Sequence, residues 1–287
     1  MITKIILGTA QFGLDYGVNN KKGRILKKEV FEILNYAWKN KVRILDTALT
    51  YGESEKIIGK FIKKKRVPFK IISKLPKANS KTAGGFFSES LARLGQDKIY
   101  GYLVHNFKSF LKNNLIWDTL EKLKAKGRIK KIGFSLYYPQ ELKYLLKHNF
   151  NFDIVQFPYN IFDQRFAPHL SLLKKRNIEI HVRSVFLQGL MFKKPGGLSP
   201  QFKEIRPKLE FLNKVAQDLN ISMAALCLNF VVLNKNVDKI IIGVNNLDNL
   251  KENIKALKYR NRVKKIYNNL LSLKDSDEKI ILPLNWN

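Results

Sequence analysis

The feature that most constrains the fold is an alternation of short apolar segments with amphipathic segments along most of the chain. Segments rich in Ile, Val, Leu and Phe predict eight strands, at residues 4–10, 42–48, 69–75, 99–105, 129–135, 152–158, 178–185 and 238–244. Between and after them, the apolar spacing predicts eight helices, at 27–40, 53–65, 85–94, 116–126, 138–147, 165–176, 207–232 and 247–257. Near-continuous apolar strands are typical of a parallel sheet that is covered on both faces.

Eight strand-then-helix units in 287 residues predict an α/β fold of the (β/α)8 type, a TIM barrel. An open doubly wound sheet is the alternative. It would carry a glycine-rich phosphate-binding turn after the first strand, and GTAQFGLDYG at 8–17 does not match GxGxxG. No linker or repeat divides the chain, so we expect one domain over 1–287 with a short C-terminal tail, 259–287, that packs on the outside.

The composition limits the classes of partner. The net charge of +30 is typical of nucleic-acid-binding proteins, but its Lys residues are dispersed, without an Arg-rich arm or a Cys/His finger. We therefore expect no nucleic-acid partner, while an anionic small molecule would be attracted. A single cysteine, Cys227, excludes an internal disulfide and a Cys-rich zinc site, and we expect no metal.

The hydropathy pattern predicts a cytoplasmic protein. No apolar run reaches the roughly 20 residues that span a bilayer, so we expect no membrane association. The apolar start MITKIILGTAQFG is too short and too interrupted for a signal peptide and predicts a first strand instead. We expect a monomer or a weak homo-oligomer.

The barrel prediction places polar strand ends on one rim, where TIM barrels carry their active sites. The second strand ends at Asp46 and is followed by Tyr51, the third ends near Lys74, and the fourth ends at His105. An ammonium favours the phenolate form of a nearby Tyr and lowers its pKa, and a carboxylate holds the ammonium in place. This set of groups can protonate a carbonyl oxygen while a cofactor delivers hydride to the carbon.

Several segments, in order along residues 4–257, resemble the motifs of the aldo-keto reductase family. They are LDTALTYGESEKIIG at 45–59, ISKL at 72–75, YLVHN at 102–106, GFS at 133–135, FDIVQFPYN at 152–160, VRSVFLQGLM at 182–191 and IIGVNNLDNLKEN at 241–253. The resemblance implies that Tyr51 is the general acid, that Lys74 lowers its pKa, that Asp46 holds Lys74 and that His105 positions the carbonyl.

The same resemblance implies a nicotinamide cofactor and a small-molecule carbonyl substrate. Its implied cofactor-binding residues are Gly8, Thr9, Ser135, Gln156, Arg183, Ser184, Leu187, Gly189, Gly243, Asn249 and Asn253. Apart from the resemblance, we expect the aromatic residues Phe12, Tyr16 and Tyr137 to line a substrate pocket near Tyr51. The family pattern favours NADP(H) over NAD(H), although no Lys or Arg stands at 243–249, where the 2′-phosphate is often held.

The substrate and the role of the protein leave alternatives. The opening LGTAQFGLDYG resembles bacterial reductases of surface-polysaccharide and nucleotide-sugar pathways, and Asn19, Asn20 and Arg24 in loop 11–24 suit a sugar. A generic aldehyde or aldose reductase is the alternative substrate class. The alternative roles are a non-catalytic nicotinamide-binding sensor or accessory subunit, and a nucleic-acid-binding protein.

Overall fold

The strands close into a single parallel barrel. The structure, a computed structural model, describes residues 1–18, 20 and 23–286, and the predicted sugar-loop residue Asn19 lies outside these. The barrel strands are β1 Ile5–Gly8, β2 Ile44–Asp46, β3 Lys70–Leu75, β4 Ile99–Val104, β5 Ile129–Ser135, β6 Ile154–Pro158, β7 Glu179–Arg183 and β8 Lys239–Ile242. They pair in chain order, and β1 also pairs with β8, with Ile6 opposite Ile241. The predicted (β/α)8 barrel is confirmed, and the open sheet is wrong because an open sheet has two unpaired edges.

Helices surround this barrel on its outer side. The helices are α1 Lys27–Lys39, α2 Ser54–Lys65, α3 Ala83–Leu94, α4 Phe107–Lys112, α5 Ile116–Ala125, α6 Pro139–Lys147, α7 Leu170–Lys175, α8 Arg206–Asp218, α9 Met223–Leu233, α10 Leu247–Ala256, α11 Arg260–Lys264, α12 Tyr267–Leu271 and α13 Glu278–Ile281. The short helix α4 was not predicted. It begins after Asn106, whose side chain accepts a hydrogen bond from the amide of Ser109 at 2.8 Å and so caps the first turn.

The helix predicted over 207–232 is wrong, because it is two helices, α8 and α9. The helical segment Pro200–Asp218 meets Met223–Leu233 at 94°. Asn220 adopts the left-handed conformation with φ of 48°, and the Ser222 hydroxyl accepts from the amide of Ala225 and caps α9. Since α9 is apolar and buried all round, hydrophobic periodicity does not reveal this break.

Two hydrophobic layers stabilise the barrel. Six strands contribute apolar side chains to a cluster that crosses the barrel interior: Ile6, Ile44, Ile72, Leu103, Ile154 and Ile241. A larger cluster fills the space between the strands and the helices. It continues into the C-terminal tail, where Leu270, Ile280 and Ile281 are buried, so the tail packs against the outside of the barrel. The polar rim therefore lies above densely packed apolar side chains.

No single helix in the described residues is long and apolar enough to cross a membrane, and the bent pair Pro200–Asp218 and Met223–Leu233 passes the same test by length and composition alone.

A buried carboxyl group lies between the barrel and its helix layer. Glu55, at the start of α2, is fully buried, and its Oε1 accepts a hydrogen bond from the Ser73 hydroxyl of β3 at 2.6 Å. It makes no ion pair with a residue that the structure describes. Burial raises the pKa of Glu55, and the hydrogen bond from Ser73 opposes this only in part. The fold therefore favours the protonated, neutral form of this side chain.

We expect Glu55 to make the free energy of unfolding dependent on pH. Because its pKa is raised in the folded state, the stability is fully present below the ordinary pKa of 4.5 and is lost as pH rises towards the folded value. The variant Glu55→Gln should thus gain stability relative to the wild type between about pH 5 and about pH 8. Urea unfolding at the two pH values measures this.

The matched control is Glu53→Gln, which changes an exposed carboxylate that pairs with Lys56 at 2.9 Å. Its stability relative to the wild type should not increase over the same pH range. A Glu55→Gln variant that keeps a constant offset from the wild type would contradict the prediction.

Candidate active site

The centre of the polar rim is a buried ion pair between neighbouring strands. Asp46 ends β2 and lies opposite Ile72 of β3. Lys74 follows Ile72 by two residues on the same strand. The ammonium of Lys74 donates to Asp46 Oδ1 at 2.5 Å and to the carbonyl oxygen of Thr47 at 2.8 Å. Lys74 is 1% exposed, so a charged state depends on these partners. Burial lowers the pKa of Lys74, and the carboxylate of Asp46 opposes that shift.

The opposite wall of the barrel adds an amide to this pair. Gln156, on β6, donates from Nε2 to Asp46 Oδ2 at 2.8 Å, so both carboxylate oxygens are hydrogen-bonded. Ser135 ends β5 directly opposite Gln156 in the sheet and is also buried. Gln156 Oε1 is buried and has no hydrogen-bond partner among the residues that the structure describes. It is therefore an acceptor that a bound amide can satisfy.

Tyr51 brings a phenol to the ion pair from the loop after β2. Its hydroxyl lies 3.5 Å from the Lys74 ammonium, which also lies 5.0 Å from the centre of the Tyr51 ring. We expected Lys74 to lower the pKa of Tyr51, but burial raises that pKa, and the charge of Asp46 raises it further. The main reason is desolvation, which disfavours the charged phenolate. Tyr51 is therefore a protonated donor across the physiological pH range.

His105 follows β4 and lies beside Tyr51. The two rings meet edge to face, with centroids 6.0 Å apart and planes at 80°. Burial lowers the pKa of His105 to about 3, and the charges of Lys74 and Arg183 act in the same direction. The imidazole is therefore neutral at physiological pH and can orient an oxygen by a hydrogen bond, but it is not a source of protons.

These groups adjoin a cavity of about 710 Å³ on the C-terminal rim of the barrel. Of the sequence-predicted residues, those that line it are Gly8, Thr9, Tyr16, Asp46, Tyr51, Arg183, Ser184, Gly189, Gly243, Asn249 and Asn253. Four predicted residues are not part of this lining: Lys74 and Gln156 contact Asp46, His105 lies beside Tyr51, and Ser135 lies opposite Gln156 in the sheet. The structure thus brings together the four predicted catalytic residues and most of the predicted cofactor-binding residues.

Three predicted binding residues lie elsewhere. Phe12 is fully buried in the hydrophobic core and not in the cavity wall, because the short helical turn Ala10–Phe12 directs its ring inward. Leu187 is fully buried in the same core. Tyr137 lies under the guanidinium of Arg183, 4.1 Å from ring centre to guanidinium carbon, and so contacts a cavity residue without lining the cavity.

Known proteins match almost the whole chain. A profile of the aldo/keto reductase family matches residues 4–271. The chain belongs to the aldo/keto reductase family. It is 27% identical over 261 residues to the uncharacterized oxidoreductase YqkF of Bacillus subtilis, covering 82% of this chain and 84% of that one. It is 22% identical over 257 residues to L-galactose dehydrogenase of Arabidopsis thaliana, covering 82% and 80%.

Solved structures show the same fold for this aldo/keto reductase. The holo form of the aldo-keto reductase AKR11C1 from Bacillus halodurans superposes with a TM-score of 0.75 at 20% identity, covering 96% of this chain and 94% of that one. The glycerol dehydrogenase AKR11B4 from Gluconobacter oxydans gives a TM-score of 0.73 at 18% identity, with the same coverage. Aldo/keto reductases are oxidoreductases that use a nicotinamide cofactor, NAD(P)H, and act on small carbonyl compounds.

The residues of this chain fit a nicotinamide dinucleotide. The unpaired acceptor Gln156 Oε1 matches the donor side of a carboxamide. The first turns of α9 and α10 line the cavity at Ser222 and Asn246, and helix N-termini favour phosphate groups. The turn after β7 also lines the cavity. Three of its lining residues, Ser184, Gln188 and Gly189, have positive φ, so the backbone changes direction sharply there.

Sequence reasoning missed part of this wall. The additional lining residues include Gln11, Phe186, Gln188, Phe192, Ser222, Met223, Ala224, Asn245, Asn246 and Glu252. The α9 residues were missed because one helix was predicted where there are two. The signal was present, since Asn220 followed by Ser222 is a helix stop followed by a helix start.

Removing one partner of the buried ion pair should destabilise the protein strongly. The variant Lys74→Met leaves Asp46 buried without its cation, and we expect the free energy of unfolding to fall by about 3–5 kcal/mol. The double variant Asp46→Asn with Lys74→Met should be more stable than Lys74→Met alone, because no charge is then left unpaired. Urea unfolding of the four members of this cycle measures the coupling.

The matched control for this cycle is Lys77→Met, which removes an exposed lysine just beyond β3. Its effect should stay below about 1 kcal/mol. If Lys74→Met cost no more than the control, the ion pair would not be the buried interaction described above.

Proposed function

We propose that this aldo/keto reductase reduces an aldehyde or ketone with Tyr51 as the general acid. The observation that carries the proposal is the neutral phenol in the cavity, 3.5 Å from a lysine that a buried carboxylate holds. Bound NAD(P)H supplies the hydride to the carbonyl carbon. The Tyr51 hydroxyl donates its proton to the carbonyl oxygen, which gives an alcohol and the oxidised cofactor.

The other residues act by position and charge. The ammonium of Lys74 lies beside the Tyr51 hydroxyl and stabilises the phenolate that proton transfer leaves behind. Asp46, held from two sides by Lys74 and Gln156, keeps that ammonium in place. The neutral His105 orients the carbonyl oxygen. The resulting site runs the reaction without a protein acid that must titrate near neutral pH.

We propose a sugar or nucleotide-sugar as the substrate class. The cavity wall carries amide side chains at Gln11, Gln188, Asn245 and Asn246, which can pair with several hydroxyl groups. The likeness to a relative named L-galactose dehydrogenase supports a sugar substrate. We also propose that the protein works in the cytoplasm as a monomer or weak homo-oligomer.

Replacement of Tyr51 tests the role of the phenol. For Tyr51→Phe we expect kcat on an accepted carbonyl substrate to fall by at least about 100-fold, because the proton donor is lost. The affinity for the cofactor, measured by fluorescence titration, should change far less than kcat. Tyr36→Phe, on the outer helix α1, is the control and should keep the wild-type rate. Wild-type turnover by Tyr51→Phe would refute the assignment.

We propose a preference for NADP(H) over NAD(H) because of the long-range attraction of the protein's net charge. Among the described residues, the lining between Gly243 and Asn253 has four Asn and one Glu but no Lys or Arg to hold a 2′-phosphate. The net charge of +30 nevertheless attracts the more anionic NADPH, and salt screens that attraction.

We therefore expect fluorescence titration at low salt to give a smaller Kd for NADPH than for NADH. The ratio of the two Kd values should approach one as ionic strength rises to about 1 M, where the screening length is about 3 Å. A ratio that stays large in salt would indicate a direct cation contact instead. Tighter binding of NADH at low salt would overturn the preference.

A further inference from the structure

The cavity contains a guanidinium group that forms no ion pair with a residue described by the structure. Arg183 ends β7 and lines the cavity together with Asp46 and Tyr51. Its Nη2 donates to the carbonyl oxygen of Leu136 at 3.1 Å, its Nη1 lies 3.4 Å from the Ser184 hydroxyl, and its plane stacks over the ring of Tyr137. All three partners are neutral. They hold the guanidinium in one place and leave its charge uncompensated within the described part of the chain.

The neighbouring charged groups do not balance Arg183. Asp46 is engaged by Lys74 and Gln156, so that pair is neutral as a whole. The carboxyl group of Glu141 accepts hydrogen bonds from the backbone amides of Tyr137 and Tyr138. Burial raises the pKa of Glu141, and the charge of Arg183 opposes this shift from beyond ion-pair distance.

The reacting groups beside Arg183 are themselves neutral. Burial raises the pKa of Tyr51 and lowers that of His105, which removes any charge that they could contribute at physiological pH. Glu252, the remaining carboxylate of the described cavity lining, is an exposed residue of α10. The end of the cavity at Tyr51 therefore carries a net positive charge.

We propose that Arg183 determines specificity by binding a carboxylate or phosphate group of the carbonyl substrate beside Tyr51. A guanidinium is a rigid planar fork that binds either oxyanion through two parallel hydrogen bonds. A partly desolvated guanidinium held by neutral partners favours such a ligand more than one that is already paired. The substrate class is an acidic carbonyl compound, such as an acidic or phosphorylated sugar. This inference rests on the proposed carbonyl reduction at Tyr51.

Matched pairs of substrates test the proposal. Glucuronate against glucose probes the carboxylate, and glyceraldehyde 3-phosphate against glyceraldehyde probes the phosphate. We expect kcat/KM of the wild type to favour the anionic member of at least one pair, and which pair responds identifies the oxyanion. In Arg183→Gln the ratio of anionic to neutral kcat/KM should fall by about 10- to 100-fold. Arg183→Lys, which keeps the charge without the fork, should lie between.

Two controls separate this role from others. Arg176→Gln removes an exposed arginine outside the cavity and should leave the ratio unchanged. This result would exclude the loss of net charge as the cause of a changed ratio in Arg183→Gln. In Arg183→Gln, the affinity for the cofactor, measured by fluorescence, should fall by a smaller factor than kcat/KM for the anionic substrate does. An unchanged ratio accompanied by weaker cofactor binding would overturn the proposal, because Arg183 would then be a cofactor contact. An unchanged ratio with unchanged cofactor binding would overturn it as well.

A binding experiment keeps the proposal independent of turnover. The fluorescence of bound NADPH is titrated with each member of the two pairs. Tighter binding of an anionic member to the wild type, lost in Arg183→Gln, supports the anion site even if neither carbonyl is reduced. Binding without turnover of either pair would count against the proposed reduction of these compounds and not against the anion site. Equal binding of anionic and neutral members to the wild type would refute the anion site.

Discussion

The ion pair between Asp46 and Lys74 is the interaction on which the site depends. It joins two neighbouring strands at the rim, and both side chains are almost fully buried, so each needs the other as a partner. The same pair fixes Gln156 through the second oxygen of Asp46 and places an ammonium near the Tyr51 hydroxyl. A single buried pair therefore holds an ammonium beside the Tyr51 hydroxyl and fixes a glutamine whose Oε1 has no partner among the described residues.

The charges of the site are arranged in two parts. The catalytic part is close to neutral, because Asp46 cancels Lys74 and burial keeps Tyr51 and His105 uncharged. The second part is Arg183, which neutral groups hold and no described carboxylate pairs. In the reaction that we propose, proton donation from Tyr51 therefore does not depend on a group that titrates near neutral pH, and the charge of Arg183 selects the ligand. Our two proposals thus give electrostatic selection and proton transfer to different side chains.

The sequence predicted the strands well and some helices less well. Each barrel strand was predicted because near-continuous apolar residues mark strands that are buried on both faces. The break between α8 and α9 was missed because α9 is apolar all round, and an unbroken apolar run carries no periodic signal at a bend. The miss had a functional consequence, since Ser222, Met223 and Ala224 at that break line the cavity. Phe12 was assigned to the cavity because loop position does not reveal which way a ring points.

The sequence by itself determined the barrel, the family and the four polar residues at the ends of strands β2, β3 and β4. It could do so because strand periodicity and the position of a residue at a strand end are local properties. Only the tertiary structure decided the charge states and the contacts. The raised pKa of Tyr51, the orphaned oxygen of Gln156 and the uncompensated charge of Arg183 depend on burial and on partners that come from distant strands. Desolvation is a property of the packed interior, and no linear pattern of residues specifies it.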